Sequence, residues 1–235
     1  MPSPSHATAV SLMSTLAVKS ALVDVVIPAF EKRTGLNVRC DFDPTNVLLH
    51  RVSRGARADV LIATRACVTG LAEARIVDPA SVSALVRTGV GIAVAGQAAP
   101  VLVPGVDDLC RLLLDARSVA YSRTGASGVY FAALLERLGV AGRVNGRATI
   151  IDKGLTGECV ARGDADVAIQ QMSELAMVPG IRLLGPLPEE VQLYTDFDVA
   201  IFAAQAYSAP CVDLIDSLFS ESARSAYARL GLTVL

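Results

Sequence analysis

Residues 122–128, SRTGASG, place Ser122, Thr124, Gly125, Ser127 and Gly128 directly ahead of an apolar helical run. A helix start leaves backbone N–H groups without partners and carries partial positive charge. Small hydroxylated residues there let an anion approach those donors. Arg123 adds a guanidinium suited to bidentate carboxylate binding. The competing reading is local: Ser127 or Thr124 caps its own helix, and Arg123 is simply solvated. Residue type alone leaves both open.

The basic residues sharpen the question. Lysine occurs only at Lys19, Lys32 and Lys153, against eighteen arginines. Lys32 sits in the charged end of a helix and reads as solvated. Lys19 lies near a predicted helix start, where its charge opposes the helix dipole and an anion would relieve the mismatch. Lys153 follows a predicted strand. Facing one cleft, Lys19 and Lys153 would clamp a carboxylate, and burial of either would lower its pKa towards acid–base use. Each is otherwise a surface lysine. Tyr121 and Tyr130 are possible donors or packing residues, and Asp164 and Asp166 belong to a turn.

Other chemistries lack their residues. TGVGIAVAG imitates a dinucleotide loop without the following helix or the acidic residue that completes it. No GxxxxGK[ST] loop occurs. The two histidines, His6 and His50, adjoin no Gly-x-Ser-x-Gly elbow. Cys40, Cys67, Cys110, Cys159 and Cys211 are scattered and odd in number, which argues against a disulfide framework and a zinc site.

The elements that must position these residues alternate in type. Predicted strands at 9–15, 36–42, 58–64, 90–95, 118–122, 148–152, 166–170 and 193–204 are separated by amphipathic helices. Those helices fall at 20–35, 47–55, 68–77, 106–115, 127–138 and 157–163, and a last one runs over 211–231. This is an α/β pattern with mainly parallel strands. The strand at 90–95 carries the chain into a second lobe, and the late strand and helix return it to the first. The expected lobes are 1–86 with 196–235, and 87–195. A cleft between them would be lined by segments following the carboxyl ends of strands.

Composition bounds the class. The 235 residues are 52% apolar, with mean hydropathy +0.49, enough for a sizeable core. Twenty-one basic and 23 acidic residues leave a net charge of −2, and Trp is absent. No basic surface or stacking platform for nucleic acid is expected. No segment has the length of a membrane span. The N-terminus lacks a basic, apolar leader, so the expectation is a cytoplasmic protein, or a periplasmic one if a leader was trimmed.

IPAFEKRTGLNVRCDFDPTNVLLHRVSRGARADVLIAT resembles the opening of the molybdate-binding-type solute receptors. Its pattern is a helix ending FEK-x-TG, a strand, a short turn, a helix ending in Gly, then ADV-x-I. VARGDADVAIQQMSEL and GPLP resemble later stretches of the same family. The resemblance covers residues 9–235 and implies the two-lobed, periplasmic-binding-protein-like (type II) fold. It further implies that ligand loops fall at Ser14 and Thr15 with Lys19 just beyond, at Thr45 and Asn46, at 122–130, and at Gln170, Gln171 and Ser173. Glutamines replace a Tyr-containing stretch, and the usual serines around Pro44 are missing. Both departures weigh against tetrahedral molybdate, and an amide pair suits carboxylates or hydroxyls. One of the two glutamines is expected to face core or solvent.

Two functions follow as expectations. The first is a receptor for a small anion, an organic di- or tricarboxylate or an oxyanion, working with a transporter permease if exported. The second is a cytosolic, cofactor-independent isomerase similar to aconitate isomerases, which move a double bond in a tricarboxylate by proton transfer. Lys19 or Lys153 would then supply the acid or base. The resemblance also extends to ligand-sensing domains of regulators, a reading that would need a separate DNA-binding partner and is expected least.

Overall fold

The computed structural model describes residues 9–99, 101–205 and 208–235. Residues 1–8, including His6, lie outside the described residues. The strands are β1 (Ala9–Ser14), β2 (Asn37–Phe42), β3 (Val60–Thr64), β4 (Ser83–Ala95), β5 (Val119–Ser122), β6 (Thr149–Ile151), β7 (Val167–Gln171), β8 (Ile181–Pro186), β9 (Tyr194–Ile201) and β10 (Thr233–Val234). The helices are α1 (Lys19–Ala21), α2 (Ile27–Thr34), α3 (Thr45–Ser53), α4 (Arg65–Glu73), α5 (Val106–Asp115), α6 (Ala126–Arg137), α7 (Ala141–Asn145), α8 (Thr156–Ala161), α9 (Met172–Leu175), α10 (Ala209–Leu218) and α11 (Glu221–Arg229). A 3-10 turn at Leu16–Val18 and a π turn at Leu22–Val26 join β1 to α2 in one helical run.

Strand order is β2-β1-β3-β9-β4-β7-β5-β6, with β8 and β10 also pairing with β4. β1 is parallel to β2 and β3, and β5 to β6 and β7. The crossing strands depart from the expected parallel pattern: β9 is antiparallel to β3 and β4, and β4 is antiparallel to β7 and β8.

β4 is the main correction to the expected strand at 90–95. It begins at Ser83 and exchanges partners midway, pairing with β9 over Ser83–Gly89 and with β7 over Val90–Val94. Arg87 and Thr88 interrupt its apolar run, which hid the first half. The cores divide at the same place. One cluster gathers Leu22, Phe30, Ile62, Val86, Phe197 and Tyr227, and another gathers Val90, Ile92, Phe131, Leu134 and Ile169. Each fully buried aliphatic or aromatic side chain contributes about 1.5–3 kcal/mol, so each cluster is a core in its own right.

Helix ends follow local chemistry. Gly35 closes α2 at φ +72°, in the left-handed region open to glycine. The single helix expected over 211–231 is two helices. Ser220 starts α11 by accepting the Ala223 N–H at 3.2 Å, a cap that breaks an otherwise continuous apolar stripe. α7, α9, β8 and β10 were not anticipated; all but β8 are five residues or shorter, too brief for periodicity to register.

Candidate functional site

The loops after β1, β2, β5, β6 and β7 converge on one cavity. Thr15 and Leu16 enter from β1, Pro44 and Thr45 from β2, and Ser122 with Gly125–Ser127 from β5. Gly154 follows β6, Gln170, Gln171 and Glu174 come from the end of β7, and Phe197 from β9. Lining thus comes from strands on both sides of the partner exchange in β4.

α6 reaches the cavity because Gly128 permits it. A Cβ there would stand 1.8 Å from the Ser122 carbonyl oxygen, so only glycine lets this helix start lie against the end of β5. The capping reading of Ser127 and Thr124 fails. The residue preceding α6 is Gly125, and no side chain caps the helix. Thr124 Oγ1 donates instead to the Asp152 carbonyl. The buried Ser127 hydroxyl makes no hydrogen bond among the described residues. Ser122 Oγ braces the turn by accepting the Thr124 and Gly125 N–H groups at 3.3 and 3.1 Å. α3 likewise begins after Pro44 without a side-chain cap, and Thr45 Oγ1 accepts the Thr64 N–H at 3.3 Å. Two helix starts therefore present uncommitted N–H donors to the same space.

Both glutamines line the cavity, correcting the expectation that one would turn away; at the strand end, where β7 bends into α9, the strict alternation of faces lapses. Gln170 is saturated: its Oε1 accepts the Thr156 N–H at 2.6 Å and the Thr156 hydroxyl at 2.9 Å, and its Nε2 donates to the Gly154 carbonyl at 2.9 Å. It holds the loop after β6. Gln171 is half used, donating from Nε2 to Thr195 Oγ1 at 3.0 Å while its buried Oε1 has no partner among the described residues. The buried Ser173 hydroxyl is also unpartnered. Buried polar atoms are rarely left unpaired.

Glu174 was missed. It is 7% exposed and, among the described residues, is the sole carboxyl on the cavity wall, where no described lysine or arginine stands. Burial pushes it up to about 7, against opposing hydrogen bonds from the Gln170 side chain and the Gln171 backbone. Its place three residues after Gln171, which precedes α9, has the spacing of a capping box. The available signal was an acid immediately following a wholly buried strand.

The cationic clamp is absent. Lys19 is exposed, with Nζ 5.6 Å from the Phe42 ring centroid. Arg123 is exposed and pairs with Asp152 at 3.1 Å. Lys153 is exposed and pairs with Asp43 at 3.6 Å. None lines the cavity, because long side chains at these positions keep their charge in water. Ser14 is buried behind the wall and donates to the Thr15 carbonyl. Asn46 is exposed, and its Nδ2 donates to the Thr124 carbonyl at 3.0 Å. That bond and the Lys153–Asp43 pair join the α3 side of the cavity to the α6 side. Tyr121 and Tyr130 are packing residues, donating to Asn145 Oδ1 at 2.8 Å and to the Val191 carbonyl at 2.7 Å. Asp164 and Asp166 pair with Arg162 and Arg117.

A second polar group lies beside the strand crossing. Arg65 bonds Asp198 at 3.1 Å and Asp196 at 2.6 Å, and Arg87 bonds Asp196 at 2.5 Å. The arginines hold the Asp196 carboxyl below the usual carboxylate range, chiefly through the Arg87 hydrogen bond. All five cysteines are free, and burial lifts the Cys40 and Cys67 thiols to about 11. Among the described residues no His, Cys, Asp or Glu cluster could hold a metal, and no helix is long and apolar enough to cross a membrane.

Two α/β lobes, joined by exchanging strands with a cavity lined from both, define the two-lobed periplasmic-binding-protein class. The chain belongs to the bacterial extracellular solute-binding protein family, which it matches over residues 11–233. It is 29% identical over 231 residues to an aconitate isomerase from a Pseudomonas species, covering 96% of this chain and 87% of that one. Among solved structures it resembles the periplasmic molybdate-binding protein of Azotobacter vinelandii, with TM-score 0.80, 15% identity and coverage of 96% and 99%. It also resembles L-phospholactate-bound PEB3, a Campylobacter jejuni protein, with TM-score 0.68, 16% identity and coverage of 95% and 99%.

Proposed function

We propose that the cavity binds a small organic di- or tricarboxylate, admitted when 87–195 swings as one lobe against 1–86 and 196–235. The observation that carries this reading is the convergence of two uncapped helix starts, at Thr45 and at Ala126–Ser127, on a wall without cations. Each start stabilises a negative group by about 0.3–1 kcal/mol, and by more when partly buried. The wall also carries Leu16, Pro44 and Phe197. These suit the carbon skeleton of an organic acid and offer nothing to a bare tetrahedral oxyanion.

In an exported protein, a transporter permease would be the partner that receives the ligand. Similarity to an aconitate isomerase favours a second reading, in which the bound acid is also isomerised without a cofactor. Thermal-shift and calorimetric titrations with citrate, trans-aconitate, molybdate and tungstate test the binding reading. The expected result is stabilisation by the carboxylates. Stabilisation by molybdate or tungstate alone would overturn it.

A further inference from the structure

The geometry points to Glu174 as the acid–base residue of the cavity, acting on a small unsaturated polycarboxylate by moving an allylic proton. This rests on the carboxylate-binding reading above and goes beyond it.

Three observations carry the assignment. First, among the described residues Glu174 is the sole ionisable carboxyl or amine on the wall, which makes it the candidate for proton transfer there. Second, the atoms beside it are left open: Gln171 Oε1 and Ser173 Oγ are buried and unpartnered, and Gln171 Oε1 belongs to a residue that lines the same space. Third, the lysines that could have served stand outside in solvent. Its raised pKa suits a group that must both take and give a proton near neutrality. The elements packed around α9 carry Arg87, Arg182, Glu158 and Cys159, none of which lines the cavity. Arg87 is committed to Asp196, Arg182 to the Gly96 and Ala98 carbonyls, and Glu158 to Arg162.

The step balances without a co-reactant. The Glu174 carboxylate takes a proton from the methylene carbon, and the C–H electron pair becomes the new C=C bond. The former π pair takes the proton back from the Glu174 carboxylic acid at the old vinylic carbon. Charge that develops on the conjugated ligand carboxylate faces the N–H groups at the starts of α3 and α6, where fixed donors stabilise it. The carboxylate of Glu174 is regenerated, and the product is an isomer of the substrate.

The test uses trans-aconitate in heavy water, followed by proton NMR, with binding measured separately by calorimetry. Wild-type protein is expected to exchange the methylene protons and form the isomer. Glu174→Gln should lose turnover at least 100-fold while its Kd stays within about threefold; Glu174→Asp should keep a reduced kcat with little change in KM. The wild-type kcat/KM should rise with pH to a plateau, and Lys19→Ala should match wild type. Should Glu174→Gln fail to fold, the Glu174→Asp kinetics and the wild-type pH profile carry the test. Wild-type protein that binds trans-aconitate yet neither exchanges nor isomerises it overturns this assignment and leaves the binding reading standing. So does Glu174→Gln turning over within threefold of wild type, or Glu174→Asp together with a flat pH profile leaving kcat unchanged. Absence of binding by wild type overturns the binding reading itself.

Discussion

The cavity and the strand crossing are both polar, both near the junction of the lobes, and built in opposite ways. At the crossing, Arg65, Arg87, Asp196 and Asp198 satisfy one another, at 2.5–3.1 Å. Among the described residues the cavity wall is neutral apart from one carboxyl, and Gln171 Oε1 is left without a protein partner. Saturation marks a group that holds structure; an unpartnered buried acceptor on a cavity wall is free to meet a ligand. Charge alone points the wrong way here, since the charged cluster is structural and the nearly neutral wall is the candidate site.

The contrast is sharpened first at Glu174. A carboxyl raised to about 7 in the folded chain, against about 4.3 unfolded, binds more protons folded than unfolded between those values. Stability therefore falls as pH rises through that window. Glu174→Gln should be more stable than wild type above pH 7, by roughly 2 kcal/mol, with the gain fading below about pH 4.3. Urea melts at pH 4, 6 and 8 measure it; a variant less stable at pH 8 would break the comparison.

The crossing should respond in the other sense. Asp196 is held below its ordinary value, so its contribution is present above the unfolded pKa and is lost as pH falls through the folded one. Asp196→Asn should cost about 1 kcal/mol at neutral pH, since both arginine partners are roughly half exposed. Acid should erase the difference between the two proteins. Denaturation at pH 7 and pH 2.5 reads this directly, and an equal deficit at both would contradict it.

Much of the frame was legible because apolar period reports burial. The helix predicted at 127–138 lies at Ala126–Arg137, and the strand at 166–170 lies at Val167–Gln171. The small residues of 122–128 bring the start of α6 to the cavity, because Gly128 has no Cβ to meet the end of β5. What escaped depends on contacts distant in sequence. Arg65 and Asp198 meet only once β9 lies beside β3. Lys19 and Lys153 are exposed and away from the wall, a placement that depends on which loops meet and that no local pattern encodes. Glu174 escaped because a single acid after a buried strand looks like an ordinary helix start until the surrounding wall is seen.

The claim that neutral buried donors, rather than rim cations, hold the anion can be tested by calorimetric titration of trans-aconitate into two double variants. Thr45→Val with Ser127→Ala removes two wall hydroxyls and should weaken binding by roughly 100-fold, about 1.4 kcal/mol for each lost partner. Lys19→Ala with Arg123→Ala removes rim charge and should stay within about twofold of wild type, because such exposed charges contribute little. The reverse pattern, with the rim variant failing and the wall variant binding normally, would contradict the account.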